Sequence, residues 1–179
     1  MGETSAVPLP DVSYARSGDV AIAYQVIGAG AHDVVFMRGI AGDLVSTWDQ
    51  PLLVRHVQGL ADCGRVLMLD KRGTGLSDRV REVQSAETTM DDVRAVMDAA
   101  GSERALQFGF QDGGMVCALF AASYPERTSG LILMNSSPRG LWAPDWPAGW
   151  TAEQWDENAA EIDARWGTLA YTEVGAHLR

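Results

Sequence analysis

The chain has 179 residues, 46% hydrophobic and 21% charged, enough to bury one sizeable core in an ordinary globular composition. Its 24 acidic side chains outnumber 14 basic ones, giving a formal net charge of -10. No Lys/Arg block interrupts that balance, so the electrostatic footprint of a nucleic-acid binder is missing and nucleic acid is not an expected partner.

The opening residues, MGETSAVPLPDVS, hold neither a basic segment nor an apolar one, and no window reaches about 18 uninterrupted apolar residues. The expectation is a cytoplasmic protein with no membrane partner. Short β-rich runs alternate with helical stretches, the pattern of βαβ crossovers and a mostly parallel sheet. The stretch DVSYARSGDVAIAYQVIGAG gives two strands around a turn at Ser17-Gly18-Asp19, an antiparallel hairpin at the sheet edge. DVVFMRG (33–39) is a short apolar run ending in glycine, as expected of a central strand buried on both faces. Helical spacing follows from Trp48 to Leu60, and His56 falls within it. The first cysteine, Cys63, comes just after, and with Cys117 it makes too few for a disulfide framework and has no partner at metal-ligand spacing. Both read as core thiols, and neither a metal nor a cofactor is expected.

RVLMLD (65–70) is the next buried strand, running into the turn-rich loop KRGTGLSDRV. In ETTMDDVRAVMDAAG, residues Met90, Val93, Val96, Met97 and Ala100 share one helical face. Thr88 or Thr89 can cap its start, with Asp91 or Asp92 three residues on, and Gly101 can end it. ALQFGF predicts a strand, GGMVCALFAASYP a helix and SGLILMN (129–135) a sixth strand. The tail from Ser136 holds five of the six tryptophans, at 142, 146, 150, 155 and 166, and reads as turns followed by one or two helices.

In an open parallel sheet, ligands bind beyond the carboxyl ends of the strands, where loops diverge and helix N-termini point. Four strands end at Arg38-Gly39, Asp70, Phe110-Gln111 and Asn135, so one edge gathers their polar groups. Gly109, Gly113 and Gly114 permit a sharp strand-to-helix turn whose amides, at Asp112 and Gly113, face the crevice beside a loop amide near Ile40. Two such sources of N–H can hold a developing oxyanion, although glycines alone would also suit any tight connection.

With these elements in order, the chain resembles the α/β-hydrolases. The resemblance rests on the hairpin, VVFMRGI, LDKRGTGLSD against a DxRGxGxS loop, GFQDGG against the GxSxG elbow, and SYPERTSGLILMNSS, and it spans about residues 12–168. More narrowly, YARSGDVAIAYQVIG, DKRGTGLSDR, MDDVRAVMDAAGSERA and the tail are similar to hydrolase-like domains that in actinobacteria often precede a nucleotide cyclase or a helix-turn-helix regulator. The resemblance implies an α/β-hydrolase-like, mostly parallel sheet with helices on both faces, truncated to about six strands. Residues 1–137 would be the core, and residues 138–179 a Trp-rich partial helical cap.

Departures from the family pattern bear on chemistry. Gln111 stands where the family has its nucleophilic serine, and an amide cannot be deprotonated into an attacking oxygen at neutral pH. Arg38 stands where many members have histidine, and would put a fixed cation at the mouth of the site. The family takes its general base from a histidine after an eighth strand and its acid after a seventh, and this chain has neither strand. His32, His56 and His177 read as surface or packing residues.

Shifted by one residue, FQDGG resembles the elbow of haloalkane dehalogenases and epoxide hydrolases, with Asp112 as an ionised nucleophile and Asn135 as the amide ending the sixth strand. Against that register, Gly113 stands in the place of a halide-binding tryptophan, and Asp112 also suits a helix first turn. Three functions stay open: an inactive or impaired esterase-like descendant binding a small apolar or anionic ligand at Arg38, Gly39, Ile40 and Gly113; an active hydrolase using Asp112; and a sensory or assembly module. The sixth strand, left as a sheet edge, also predicts a homo-oligomer through that edge or the tail, unless the 179 residues are part of a longer chain.

Overall fold

The computed structural model describes residues 9–39 and 42–165. They fall into two compact units divided between Pro138 and Arg139. The first unit is built on a six-stranded sheet of β1 (Ser13–Ser17), β2 (Val20–Ile27), β3 (Asp33–Met37), β4 (Arg65–Leu69), β5 (Ala105–Phe110) and β6 (Thr128–Met134), in the order β1-β2-β4-β3-β5-β6. The hairpin closes on the two-residue turn Gly18-Asp19, with Ser17 facing Val20 and Gly18 at φ +61°. β1 and β2 are antiparallel to their neighbours, while β4, β3, β5 and β6 run parallel, so the carboxyl ends of those four strands share one edge.

Period-two alternation sends the side chains of each central strand to two separate cores. On one face Ile22, Val35, Met37, Leu67 and Leu69 pack against α2 (Ala86–Ala99) and α3 (Gly113–Ser123), meeting Val93, Met97, Val116 and Phe120. On the other, Val34, Phe36, Val66, Met68 and Phe108 pack against α1 (Pro51–Ala61) through Val57. The Trp48–Leu60 helical run is two pieces: a 3-10 turn over Ser46–Asp49, then α1, with extended Gln50 between them and Pro51 fixing the helical start.

The buried face of α2 is the expected Met90, Val93, Val96 and Met97. Its cap differs from the threonines proposed: Ser85 occupies the N-cap and its hydroxyl accepts from the Thr88 amide. Gly101 ends the helix as expected. At φ +66° it lets Ser102 N–H donate back to Met97 O at 2.8 Å while its own N–H donates to Asp98 O at 3.1 Å, the paired bonds of a Schellman motif. The cysteines also divide: Cys117 is buried in the α3 core, whereas Cys63 is exposed just past the end of α1, so the core-thiol reading fails there.

The second unit begins with bridges pairing Leu141 with Trp150 and Ala143 with Trp146, and ends in α4 (Ala152–Arg165). Trp150 and Trp155 meet edge to face, with ring centroids 6.0 Å apart. Trp166 and His177 lie outside the described residues. Among the described residues, no helix is long and apolar enough to cross a membrane.

Candidate functional site

The turn after β5 is the sharpest feature of the strand-end edge. Gln111 sits at its apex with φ +54°, a left-handed conformation that a long unbranched side chain rarely adopts. Hydrogen bonds fix it there: Gln111 N–H donates to Met134 O at 3.0 Å, and Ser136 Oγ donates to Gln111 O at 2.7 Å. Asp112, with φ -64° and ψ -23°, is already helical and forms the N-cap of α3. The bend therefore turns on Gln111 and not on the neighbouring carboxylate.

The flanking glycines are required by close packing. A Cβ on Gly113 would lie 2.4 Å from Met37 O and 2.9 Å from Arg38 O, and one on Gly109 would lie 2.3 Å from the Gly114 Cα. The Gln111 side chain in turn lies over Gly39, whose Cβ would meet Gln111 Oε1 at 2.1 Å. One strand over, Asn135 is also left-handed, at φ +51°, directly past the Phe110–Met134 pairing. Gly39, Gln111, Gly113 and Asn135 are thus brought to one edge. Ile40, expected to offer a second oxyanion amide, lies outside the described residues.

Arg38, expected as a fixed cation at the mouth of the site, lines the strand-end edge and is already engaged there. It is 8% exposed; its Nη1 donates to Asp43 O at 2.9 Å and to Thr47 Oγ1, and its Nη2 lies 3.4 Å from Asp70 Oδ1. Burial lowers its pKa from the ordinary value, with Asp70 and then Asp43 opposing the shift. Asp70 is also buried and its pKa is raised by desolvation, against the amides of Leu76 and Leu44, which donate to it at 2.8 and 2.9 Å, and against Arg38. The glycine loop after β4 wraps this carboxylate. Gly75, at φ +49°, has no room for a Cβ, which would lie 2.0 Å from Asp70 Oδ2. Ser77 Oγ donates to Asp70 O at 2.7 Å and accepts from Ala23 N–H at 2.9 Å, pinning the loop to β2. The DxRGxGxS-like stretch thereby holds two strand ends together around a buried ion pair.

Beyond the carboxyl ends of β3 and β4 opens a crevice of about 520 Å³. Met37, Leu69, Val80, Met115 and Val116 give it apolar walls, and Ser85 and Ala86 bring the start of α2 to its rim. Asp112 lines it, joined by an ion pair to Lys71. The order of residues at the strand ends singled out Asp70 but passed over Lys71, which follows it directly and reaches the same edge. Among the described residues, no histidine lines it. His56 instead packs on the α1 face between Phe36 and Phe108, at centroid distances of 5.3 and 5.6 Å. Among the described residues, no group of three His, Cys, Asp or Glu is arranged to hold a metal ion.

A mostly parallel sheet in this order, helices on both faces and a left-handed residue at a glycine-flanked elbow define the α/β-hydrolase class. Residues 34–174 match the model for the alpha/beta hydrolase fold, and the chain belongs to that family. It is 33% identical over 124 residues to a 2-hydroxy-6-oxononadienedioate/2-hydroxy-6-oxononatrienedioate hydrolase of Paraburkholderia phymatum, a match covering 68% of this chain and 42% of that protein. It is 32% identical over 126 residues to a putative carbamate hydrolase of Azorhizobium caulinodans, covering 70% and 45%. A solved hydrolase structure from Pseudomonas aeruginosa superposes with a TM-score of 0.67 at 26% identity, covering 92% of this chain and 57% of that one. The chain therefore spans less than half the length of these curated relatives.

Proposed function

We propose that the chain is a ligand-binding member of the hydrolase family, descended from an esterase-like enzyme, that does not carry out acyl transfer through its elbow. The observation that carries this reading is a carboxamide, Gln111, at the strained apex of the turn. A carboxamide supplies no attacking oxygen at neutral pH, and among the described residues no imidazole lines the crevice to act as base. The crevice takes a small, largely apolar molecule, as its walls suggest. The Trp-rich second unit is read as a partial cap. The edge of β6 is read as a self-association surface.

A second reading has one observation in its favour: Asp112, and not Gln111, lines the crevice, so an aspartate nucleophile faces the ligand space. Against it stand the helical backbone of Asp112 and its ion pair with Lys71. The test is turnover by the purified chain. We expect no hydrolysis of p-nitrophenyl esters above the uncatalysed rate, together with a thermal shift on adding medium-chain amphiphiles. Ester turnover unchanged in Asp112→Ala would overturn both readings, and halide release from haloalkanes abolished by Asp112→Asn would favour the second.

A further inference from the structure

Three cationic side chains line the crevice, and they differ in what they already hold. Arg38 is buried and engaged with Asp70, Asp43 and Thr47. Arg72 donates through Nε to Asp92 Oδ2 at 2.8 Å and through Nη2 to Asp92 and to Ser17 Oγ. Among the described residues Lys71 has one side-chain partner, Asp112, and both members of that pair are partly exposed on the crevice wall. An ammonium carries three donors, so this contact leaves Lys71 with capacity for another acceptor.

Asp112 is similarly poised. It is the N-cap of α3, yet its carboxylate makes no capping hydrogen bond to that helix and turns to Lys71 instead. The positive dipole end of α3 favours a carboxylate at this position, so leaving Lys71 does not leave Asp112 without stabilisation. A partly exposed ion pair contributes little net energy and is readily exchanged.

We infer that the crevice binds a monocarboxylate with a short apolar body, its carboxylate taken by Lys71 in exchange for Asp112. The apolar body lies against Met37, Leu69, Val80, Met115 and Val116. Asp112 then acts as an internal competitor that weakens anion binding, the opposite of a group that helps hold or attack the ligand. This inference rests on the ligand-binding reading of the crevice.

The test is calorimetric titration with octanoate and with octanol, which share the apolar chain and differ in charge. We expect octanoate to bind more tightly than octanol and Lys71→Met to lose about tenfold of the octanoate affinity while leaving octanol unchanged. Asp112→Asn should bind octanoate about two- to fivefold more tightly than the parent, a gain that misfolding cannot produce. Equal affinity for octanoate and octanol, or octanoate binding left unchanged or weakened by Asp112→Asn, would overturn the carboxylate inference while the ligand-binding reading stands. Failure of both compounds to bind any of the proteins would overturn the two together.

Discussion

At the scale of the residue, the elbow shows how neighbouring contacts hold a strained backbone conformation in place. Gln111 holds a left-handed conformation that costs on the order of 1 kcal/mol or more for a non-glycine residue. The turn persists because Met134 and Ser136 hold the Gln111 backbone and because Gly113 packs directly on the carbonyls of Met37 and Arg38. The same helix supplies a test of burial. Cys117 lies in the α3 core, and burial pushes its thiol up to about 12, with Lys71 opposing the shift, whereas Cys63 is exposed. Since the thiolate is the reactive form, iodoacetamide near neutral pH should label Cys63 alone, and Cys117 only after denaturation. Mass spectrometry of tryptic peptides reads the result, and equal labelling of both in the native protein would contradict this packing of α3.

At the scale of the element, the loop after β4 works as a clasp. Arg72 reaches from it to Asp92 on α2 and to Ser17 at the hairpin, with Asp92 wholly buried. Removing one partner of a buried pair leaves an uncompensated charge, so Asp92→Ala should cost about 3 kcal/mol or more in urea unfolding. Its neighbour Asp91 pairs with Arg94 on the exposed face, and Asp91→Ala should change stability little. Similar losses for the two variants would show that the clasp is not what the contacts suggest.

The elements themselves were legible because their signals are local. ALQFGF (105–110) coincides with β5, and the apolar face of α2 follows from its spacing alone. The cap of α2 was not legible, since Ser85, Thr88 and Thr89 all suit the role and the path of the preceding loop selects among them. The edge that gathers Gly39, Gln111 and Asn135 followed from the strand ends. The engagement of Arg38 did not, because its counter-charge at Asp70 is 32 residues away and reaches it only through the pairing of β3 with β4. Lys71 was missed for a similar reason: its partner Asp112 comes from another strand end, 41 residues on.

At the scale of the whole molecule, the two margins of the sheet differ. No strand pairs with the outer side of β6 among the described residues, and Leu131, Ile132, Leu133 and Met134 are 41%, 43%, 49% and 38% exposed. Consecutive residues of a strand point to opposite faces, so apolar surface is open on both sides of this margin. On the self-association reading, light scattering should give a mass above that of one chain, rising with concentration through the micromolar range. Leu133→Lys should lower it, since a charged side chain on an edge strand opposes pairing. A constant single-chain mass for the parent across that range would contradict the reading.

On the self-association reading, that asymmetry also sets where assembly would stop. β1, at the far margin, buries Ala15 but presents Ser13, Tyr14 and Arg16 to solvent, a poor template for another apolar strand. If β6 meets its own counterpart around a two-fold axis, each molecule's one adhesive margin is covered by the other's. The geometry then closes at a dimer with a continuous sheet, and elongation into fibres finds no second apolar sheet margin among the described residues.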